Sequence, residues 1–284
     1  MSLDINMIFQ KEKLKKVHSI LQDPARKIIV VDGVIGAGKT TTIKEIEKRL
    51  NYMNNNIDDE KLKIKIKAIY EPVEKWKSTG SLEYFYKDIP KNAYAFQTFT
   101  YITRISAVID EIYDCSDADI YILERSIFTD RYVFMELLKD SITPLEMCMY
   151  NEWCDMWAYI LPMRVDKWVL LNTSLDESLK RIASRNRDGE TSGISVEYQT
   201  SLYEKHIEFY KKLKNDGQPI VIIESNIMDE NFIDNTEKID SIIKNIFNID
   251  INNIIDIDDM SFMNYKYEET NLIYRIIDWF LRIF

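Results

Sequence analysis

Residues 27–40 read KIIVVDGVIGAGKT, and this stretch decides the fold. Residues 27–31 form a short apolar run rich in β-branched side chains, which is typical of a strand buried on both faces. From Gly33 to Thr40 the chain matches the pattern G-x-x-x-x-G-K-[ST], and helical spacing begins directly afterwards, over residues 41–50. A strand, a glycine loop and a helix in this order predict a phosphate-binding loop, or P-loop.

Glycine is rare in this chain, so its positions are informative. Only 7 of the 284 residues are glycine, and three of them fall close together in this loop. Such a loop lets backbone N–H groups turn inward and bind phosphate at a helix N-terminus. Lys39 would reach the β- and γ-phosphates, and the Thr40 hydroxyl would bind Mg²⁺. The predicted nucleotide contacts are Gly33, Val34, Ile35, Gly36, Ala37, Gly38, Lys39 and Thr40.

Four further apolar runs share the character of the first one. They cover residues 65–70, 120–123, 167–171 and 219–223. Longer segments with helical spacing lie between them, over residues 41–50, 93–113, 144–159, 175–185 and 197–213. Strands that alternate with helices predict an α/β fold, here a P-loop NTPase fold with a five-stranded parallel sheet and helices on both faces.

The charge balance excludes several classes of protein. The chain has 37 Lys and Arg against 47 Asp and Glu, a net charge of −10, which argues against a duplex nucleic-acid binder. No run of about 18 uncharged apolar residues is present, so we expect no membrane-spanning helix. Three cysteines (Cys115, Cys148 and Cys154) and two histidines form neither a disulfide framework nor a zinc pattern. We therefore expect reduced cysteines and a cytoplasmic protein.

Composition also suggests how the chain is divided. We expect a polar, peripheral N-terminal extension over residues 1–26, a P-loop domain over 27–248 and a C-terminal extension over 249–284. The last of these ends NLIYRIIDWFLRIF, in which Arg275, Asp278 and Arg282 share one face of a predicted amphipathic helix. Such a helix would pack on its own domain or on a dimer partner, and it lacks the basic face of a membrane-surface helix.

A carboxylate follows the second predicted strand, in Glu71-Pro72-Val73-x-x-Trp76. Parallel sheets place ligands at the carboxyl ends of their strands. A carboxylate held there by a proline could accept a proton from a substrate hydroxyl. The alternative is a surface glutamate beside a core tryptophan.

The third predicted strand ends in Glu124-Arg125-Ser126 and continues towards Asp130 and Phe134. Glu124 could hold a metal ion or its water shell, while Arg125 could orient Glu71 or bind anionic oxygens. The alternative is a structural salt bridge between Glu124 and Arg125, which is compatible with a catalytic role.

Polar and aromatic side chains precede that strand. Gln97 and Arg104 lie seven residues apart, so they project from one face of a predicted helix. With Phe96 beside them and Tyr86 upstream, an amide and a cation would suit a nucleobase. A solvated polar helix face would carry the same residue types.

Arginines cluster around two of the few glycines, Gly189 and Gly193. They are Arg181, Arg185 and Arg187, and Glu190 lies close to them in the sequence. This pattern favours an arginine-rich lid that closes on phosphates, and a solvated basic loop is the alternative.

Together these motifs resemble the deoxyribonucleoside kinases, the family that includes deoxycytidine, deoxyguanosine and insect-type enzymes. The resemblance covers residues 27–232. It rests on the P-loop and on five further motifs: E-P-V-x-x-W at 71–76, F-Q at 96–97, E-R-S-x-x-x-D-R-Y-x-F at 124–134, R-x-R-x-x-E at 185–190 and G-I-x-x-E-Y at 193–198.

The resemblance implies a role for each matching residue. Glu71, with Trp76 in the same motif, and Arg125 would lie at the 5′-hydroxyl, and Glu124 near the metal. Gln97 would bind the base, and Phe96 and Phe134 would stack on it. Tyr86 and Glu197 would hold the sugar 3′-hydroxyl. Arg185 and Arg187 would belong to the lid. Relatives that parallel Arg104 and Asp130 favour deoxycytidine or purine deoxynucleosides.

The implied function is transfer of the γ-phosphoryl group of ATP, with Mg²⁺, to a deoxyribonucleoside in nucleotide salvage, by a homodimer. The catalytic set would be Lys39, Glu71, Glu124 and Arg125, with the base either Glu71, which we favour, or Glu124. Alternatives are a nucleoside-monophosphate kinase similar to thymidylate kinase, which would need cations for the acceptor's phosphate, and a non-catalytic nucleotide-binding module.

Some features depart from the family pattern. The P-loop opens Asp-Gly-Val where relatives have Gly-Asn, the lid is spaced differently, and the adenine contacts near residues 230–232 are not assigned. The Ile-, Asn- and Lys-rich composition suits an AT-rich genome such as that of a large DNA virus, in which case the protein would work in the host cytoplasm.

Overall fold

The computed structural model describes residues 2–55, 63–185, 194–224 and 235–247 of the chain. Its sheet has five strands: β1 (Lys27–Asp32), β2 (Ile66–Ile69), β3 (Ile120–Glu124), β4 (Lys167–Asn172) and β5 (Ile220–Glu224). All five predicted apolar runs are strands, and no strand end differs from the prediction by more than one residue. The predicted α/β fold is confirmed.

The sheet is parallel throughout, in the order β2-β3-β1-β4-β5. The first strand is therefore the central one, with β3 and β4 on either side. Because the strands run in one direction, the P-loop and the segments after β2 and β3 meet at the same edge. Every residue of β3 is buried, so both faces of the sheet are covered.

Nine α-helices of six or more residues surround the sheet in the described part of the chain: α1 (Ser2–Gln22), α2 (Lys39–Asn55), α3 (Val73–Ser78), α4 (Ser81–Lys87), α5 (Ile89–Asp114), α6 (Pro144–Ile160), α7 (Leu175–Arg185), α8 (Val196–Asn215) and α9 (Thr236–Phe247). Residues 127–141 add a helical segment with a π-helical turn over Asp130–Met135. Such turns are frequent at functional sites, and this one carries two of the predicted site residues. No described helix is long and apolar enough to span a membrane.

The N-terminal helix is part of the core. Val17 and Leu21 of α1 are fully buried, and Lys13 pairs with Asp110 of α5. This packing differs from the expectation of a peripheral extension over residues 1–26. Leu14, Val17 and Leu21 lie three and four positions apart along this helix, so they share the face that meets the domain.

The last described helix, α9, has no counterpart in the sequence prediction. Its isoleucines at 239, 242, 243 and 246 are buried, and Asp240 accepts two hydrogen bonds from Arg49 of α2, at 2.7 and 2.8 Å. The surrounding run of isoleucine, asparagine and aspartate hides this periodicity. The C-terminal extension over 249–284, with its predicted amphipathic helix, lies outside the described residues.

Candidate active site

The P-loop connects β1 to α2 and leaves no room for side chains at two of its glycines. Gly36 has φ +79°, and a Cβ atom there would lie 2.5 Å from the Ser178 carbonyl oxygen. At Gly33 a Cβ atom would lie 2.8 Å from the Leu171 carbonyl oxygen. The loop is therefore packed against the end of β4 and against α7.

Lys39 and Thr40 begin α2 and face the same space. Lys39 Nζ donates to the carbonyl oxygens of Val34 at 3.0 Å and Gly33 at 3.3 Å, and burial lowers its pKa to about 8. Thr40 Oγ1 donates to Glu124 Oε1 at 2.5 Å. The two predicted metal ligands are thus in direct contact.

This donor set fits magnesium. The described residues contain no group of three His, Cys, Asp or Glu side chains that could hold a metal ion. Mg²⁺ needs no such group, because it is usually held by one or two protein oxygens, substrate phosphates and water. The Thr40 hydroxyl and the Glu124 carboxylate supply oxygens of this kind beside the phosphate loop.

A cavity of about 420 Å³ opens next to the P-loop, within the size range of small-ligand sites. Its phosphate end is lined by predicted residues from the loop and from the end of α7, namely Ile35, Gly36, Gly38, Lys39, Thr40 and Arg185. The loop residues Gly33, Val34 and Ala37 are outside this lining. One cavity therefore contains both the phosphate loop and the side chains described next.

Charged side chains form the floor of the cavity. Glu71 Oε1 accepts a hydrogen bond from Arg104 Nη2 at 2.9 Å and lies 3.3 Å from Arg125 Nε. Arg104 also donates to both oxygens of Asp130, at 2.7 and 3.1 Å, and to the Glu124 carbonyl at 3.0 Å. The structure thus brings together all five charged residues that were predicted here.

The arginines determine the charge state of Glu71. Burial acts to raise the pKa of Glu71, but Arg125, Arg104 and Lys39 together lower it to about 2. Burial raises the pKa of Asp130, in spite of its hydrogen bonds from Arg104. Both arginines contact Glu71 through Oε1, so within the described residues the second oxygen, Oε2, is left for a ligand.

The other end of the cavity is aromatic. Phe96 stacks on Phe85 with ring centroids 4.3 Å apart, and Trp76 meets Phe96 edge-on at 6.1 Å. Gln97 is only 2% exposed, and its Oε1 has no hydrogen-bond partner among the described residues. Trp76, Tyr86, Phe96, Gln97 and Phe134 all line the cavity. A buried carbonyl without a partner requires a ligand donor or a water molecule.

A sequence model of the deoxynucleoside kinase family matches residues 29–252. The chain belongs to this family. It is 30% identical over 223 residues to a probable deoxycytidine kinase of Fowlpox virus, covering 78% of this chain and 87% of that protein. It is 29% identical over 209 residues to the deoxyadenosine kinase of Dictyostelium discoideum, covering 72% and 71%. It is 26% identical over 208 residues to mitochondrial thymidine kinase 2 of Homo sapiens, covering 71% of each.

Membership decides between the three functions that the sequence left open. The chain is a deoxynucleoside kinase, an enzyme that transfers a phosphoryl group from ATP to a nucleoside. The monophosphate-kinase and non-catalytic alternatives are thereby set aside. The three relatives carry the names of different nucleosides, so membership alone does not select the base.

One predicted substrate contact of the kinase lies outside the cavity, and one predicted lid arginine lies outside the described residues. Glu197 is exposed on the first turn of α8, where its own backbone amide and Ser195 lower its pKa, and Tyr198 lines the cavity instead. Arg187 lies outside the described residues, together with Glu190 and Gly193. Arg181, by contrast, donates from Nη1 to the Ala37 carbonyl of the P-loop at 3.2 Å.

The cavity of the kinase also includes residues that the sequence analysis did not select: Thr41, Val73, Leu82, Phe85, Thr100 and Tyr198. Helical spacing could have identified Thr100, which lies between Gln97 and Arg104 on the same face of α5. Phe85 adjoins Tyr86, but nothing local shows which of two neighbouring aromatics faces a ligand.

Proposed function

We propose that this kinase transfers the γ-phosphoryl group of ATP to the 5′-hydroxyl of deoxycytidine or of a purine deoxynucleoside, in nucleotide salvage. The observation that carries the proposal is the buried carbonyl of Gln97, which lacks a partner at the aromatic end of the cavity. The Arg104–Asp130 pair borders the same space.

The chemistry of the bases makes this carbonyl selective. Cytosine, adenine and guanine each carry an exocyclic amino group that donates hydrogen bonds, whereas thymine carries none and has a carbonyl oxygen where cytosine has its amino group. An amino group would satisfy Gln97 Oε1, whereas the thymine carbonyl would require the Gln97 amide to turn over and present its NH2 group. The thymine methyl group would in addition meet Arg104, whose guanidinium is already held by Asp130.

The phosphate end provides positive charge. Lys39 and the arginines Arg181 and Arg185 would neutralise charge that develops on the transferred phosphoryl group. Thr40 and Glu124 would hold Mg²⁺, which supplies further positive charge at the phosphates when it is bound.

Glu71 is the base that the geometry favours. Both arginines contact its Oε1, which leaves Oε2 for the acceptor hydroxyl, whereas Glu124 already accepts a hydrogen bond from Thr40 on the phosphate side. A carboxylate with a pKa of about 2 is a weak base. A weak base suffices for phosphoryl transfer, which depends mainly on positioning and on electrostatics. Arg125 would hold the Glu71 carboxylate and the attacking 5′-oxygen of the nucleoside in position.

The test is a panel of the four deoxynucleosides, with ATP and Mg²⁺, and with dCMP and dTMP as matched phosphorylated acceptors. We expect the highest kcat/KM for deoxycytidine, deoxyadenosine or deoxyguanosine, and little turnover of the monophosphates. If thymidine had the highest kcat/KM, the assignment of Gln97, Arg104 and Asp130 to base selection would be wrong.

We also propose that the enzyme is a homodimer in the cytoplasm. Large apolar side chains lie exposed along one side of α6 at intervals of three and four residues, as Leu145, Met149, Trp153, Met156 and Ile160. A contiguous apolar stripe of this kind favours burial against a second copy of the chain. Light scattering should show a dimer, and Met149→Glu should shift it towards the monomer. A monomeric native chain would refute this arrangement.

A further inference from the structure

A second polar cluster lies beneath the floor of the cavity. Asp32 ends β1, His206 lies in the middle of α8, and both are buried against Arg125. Arg125 Nη1 lies 3.0 Å from Asp32 Oδ1 and 3.0 Å from His206 Nε2. The other oxygen of Asp32 accepts from Thr129 Oγ1 at 2.6 Å, and Oδ1 also accepts from the Gly33 amide at 2.8 Å.

The partners of His206 determine where its proton lies. Nδ1 is 2.8 Å from the Leu202 carbonyl oxygen, which can only accept, so Nδ1 carries the hydrogen. Burial lowers the pKa of His206, which favours the neutral ring. Nε2 then offers a lone pair to one N–H group of Arg125 Nη1, while Asp32 Oδ1, which lies 3.3 Å from Nε2, accepts the other.

Arg125 needs this support because its backbone is unusual. Its φ of +63° makes it the one non-glycine residue with positive φ in the described part of the chain. The left-handed conformation is disfavoured for a residue with a Cβ atom and persists only where surrounding contacts hold it. The guanidinium also lies 4.8 Å from the centroid of the Phe134 ring.

The same guanidinium connects this cluster to the reacting end of the cavity. While Nη1 faces Asp32 and His206, Nε faces Glu71 Oε1 at 3.3 Å. A rotation of Arg125 would therefore move one of the two cations that hold the Glu71 carboxylate. The Nη2 group takes part in none of these contacts and is left for a ligand oxygen.

We propose that His206, together with Asp32, is a positioning residue for nucleoside phosphorylation: it holds the guanidinium of Arg125 in the orientation that places Glu71 for the acceptor hydroxyl. His206 itself does not touch the cavity. Its contribution is made through Arg125, so its loss should slow the chemical step and leave the ATP site intact.

Two amide variants separate positioning from packing. In His206→Gln the side-chain carbonyl lies about as far from the backbone as Nε2 and can accept from Arg125. In His206→Asn the amide lies at the distance of Nδ1, so it reaches Leu202 but not Arg125. The two variants differ by one methylene group. Tyr203→Phe serves as the control, because it removes a 3.1 Å hydrogen bond from the same helix to Asn172, away from Arg125.

For the intact chain and each variant, kcat and the KM values for ATP and for the best deoxynucleoside are measured, with a thermal melt to show that the protein is folded. We expect His206→Asn to lower kcat by about 10- to 100-fold with little change in the KM for ATP. His206→Gln should retain most of the native kcat, and Tyr203→Phe should match the native enzyme.

Equal kcat values for the Asn and Gln variants, whether both native or both reduced, would overturn the proposal. If His206→Asn is unfolded at the assay temperature, Asp32→Asn replaces it, since this variant retains the shape of Asp32 and removes the charge that holds Arg125. A native kcat for that variant would also overturn the proposal.

Discussion

The two ends of the cavity are built in different ways. The phosphate end is one continuous stretch, residues 33–40, whose backbone and Lys39 lie together because they are neighbours in sequence. The nucleoside end is assembled from side chains of α5, of the segments after β2 and β3, and of the π-helical turn over Asp130–Met135. Local backbone geometry therefore provides the first, and long-range packing the second. Damage to the first should affect ATP, and damage to the second should affect the acceptor.

The largest expected effect is at the phosphate end. Lys39→Met removes the cation from the P-loop and should lower kcat by about 10³-fold, because charge that develops on the phosphoryl group loses its nearest partner. Binding of the deoxynucleoside, measured by titration calorimetry, should change little. A large loss of nucleoside affinity would show that the two ends are not independent.

Replacement of Glu71 and replacement of Glu124 should have different kinds of effect on the reaction. Glu71→Gln removes the favoured base and should lower kcat by about 10²- to 10³-fold while the KM for ATP stays near its native value. Glu124→Gln, which alters the partner of Thr40, should instead raise the Mg²⁺ concentration that gives half-maximal rate. The assay is a magnesium titration of both variants at saturating nucleoside. Equal loss of ATP binding in both would contradict the separate roles.

The sugar contact sharpens the comparison within the nucleoside end. Tyr86 lines the cavity and Glu197 is exposed, so we expect Tyr86 to provide the main contact with the 3′-hydroxyl. A 2′,3′-dideoxynucleoside should lose about 10-fold in kcat/KM relative to its deoxy parent, because it leaves a polar group without a partner.

Tyr86→Phe should reduce that 3′-hydroxyl discrimination, and Glu197→Gln should leave it in place. The measurement is kcat/KM for each pair of substrates with each variant. If Glu197→Gln abolished the discrimination, the role implied by the family resemblance would hold and the exposed position would not describe the working enzyme.

The smallest expected effect is a pH dependence of stability. His206 is buried between Asp32 and Arg125, and its pKa is lowered by burial. Below about pH 6.5 the unfolded chain protonates this histidine while the folded chain does not, so stability falls as the pH falls. Each kcal/mol of unfolding free energy lost in this way lowers the melting temperature by about 2–4 °C. His206→Gln should therefore lose less melting temperature than the native chain between pH 7.5 and 5.5, and an equal or larger loss would contradict a neutral buried His206.

Many residues of the nucleoside end were nevertheless predictable from the sequence. Glu71, Gln97, Arg104, Arg125 and Asp130 were selected because they follow buried strands or share a helix face, and all of them line the cavity. Their partners were not predictable. That Arg104 bonds to Asp130, Glu71 and the Glu124 carbonyl together depends on how α5 packs against two strand ends. Asp32 and His206 gave no local signal, since one ends an apolar strand and the other lies in an ordinary amphipathic helix.

The sequence by itself determined the five strands, the P-loop and the alternation of strands with helices along the chain, because apolar runs and glycine positions act over a few residues. It also determined the family, through motifs of fixed spacing. Only the tertiary structure decided that α1 joins the core, that α9 covers α2, that Glu197 is exposed, and that His206 lies against Arg125. These outcomes depend on which surfaces meet, and that is set by contacts between residues 81, 97 and 191 positions apart, where no local pattern carries the information.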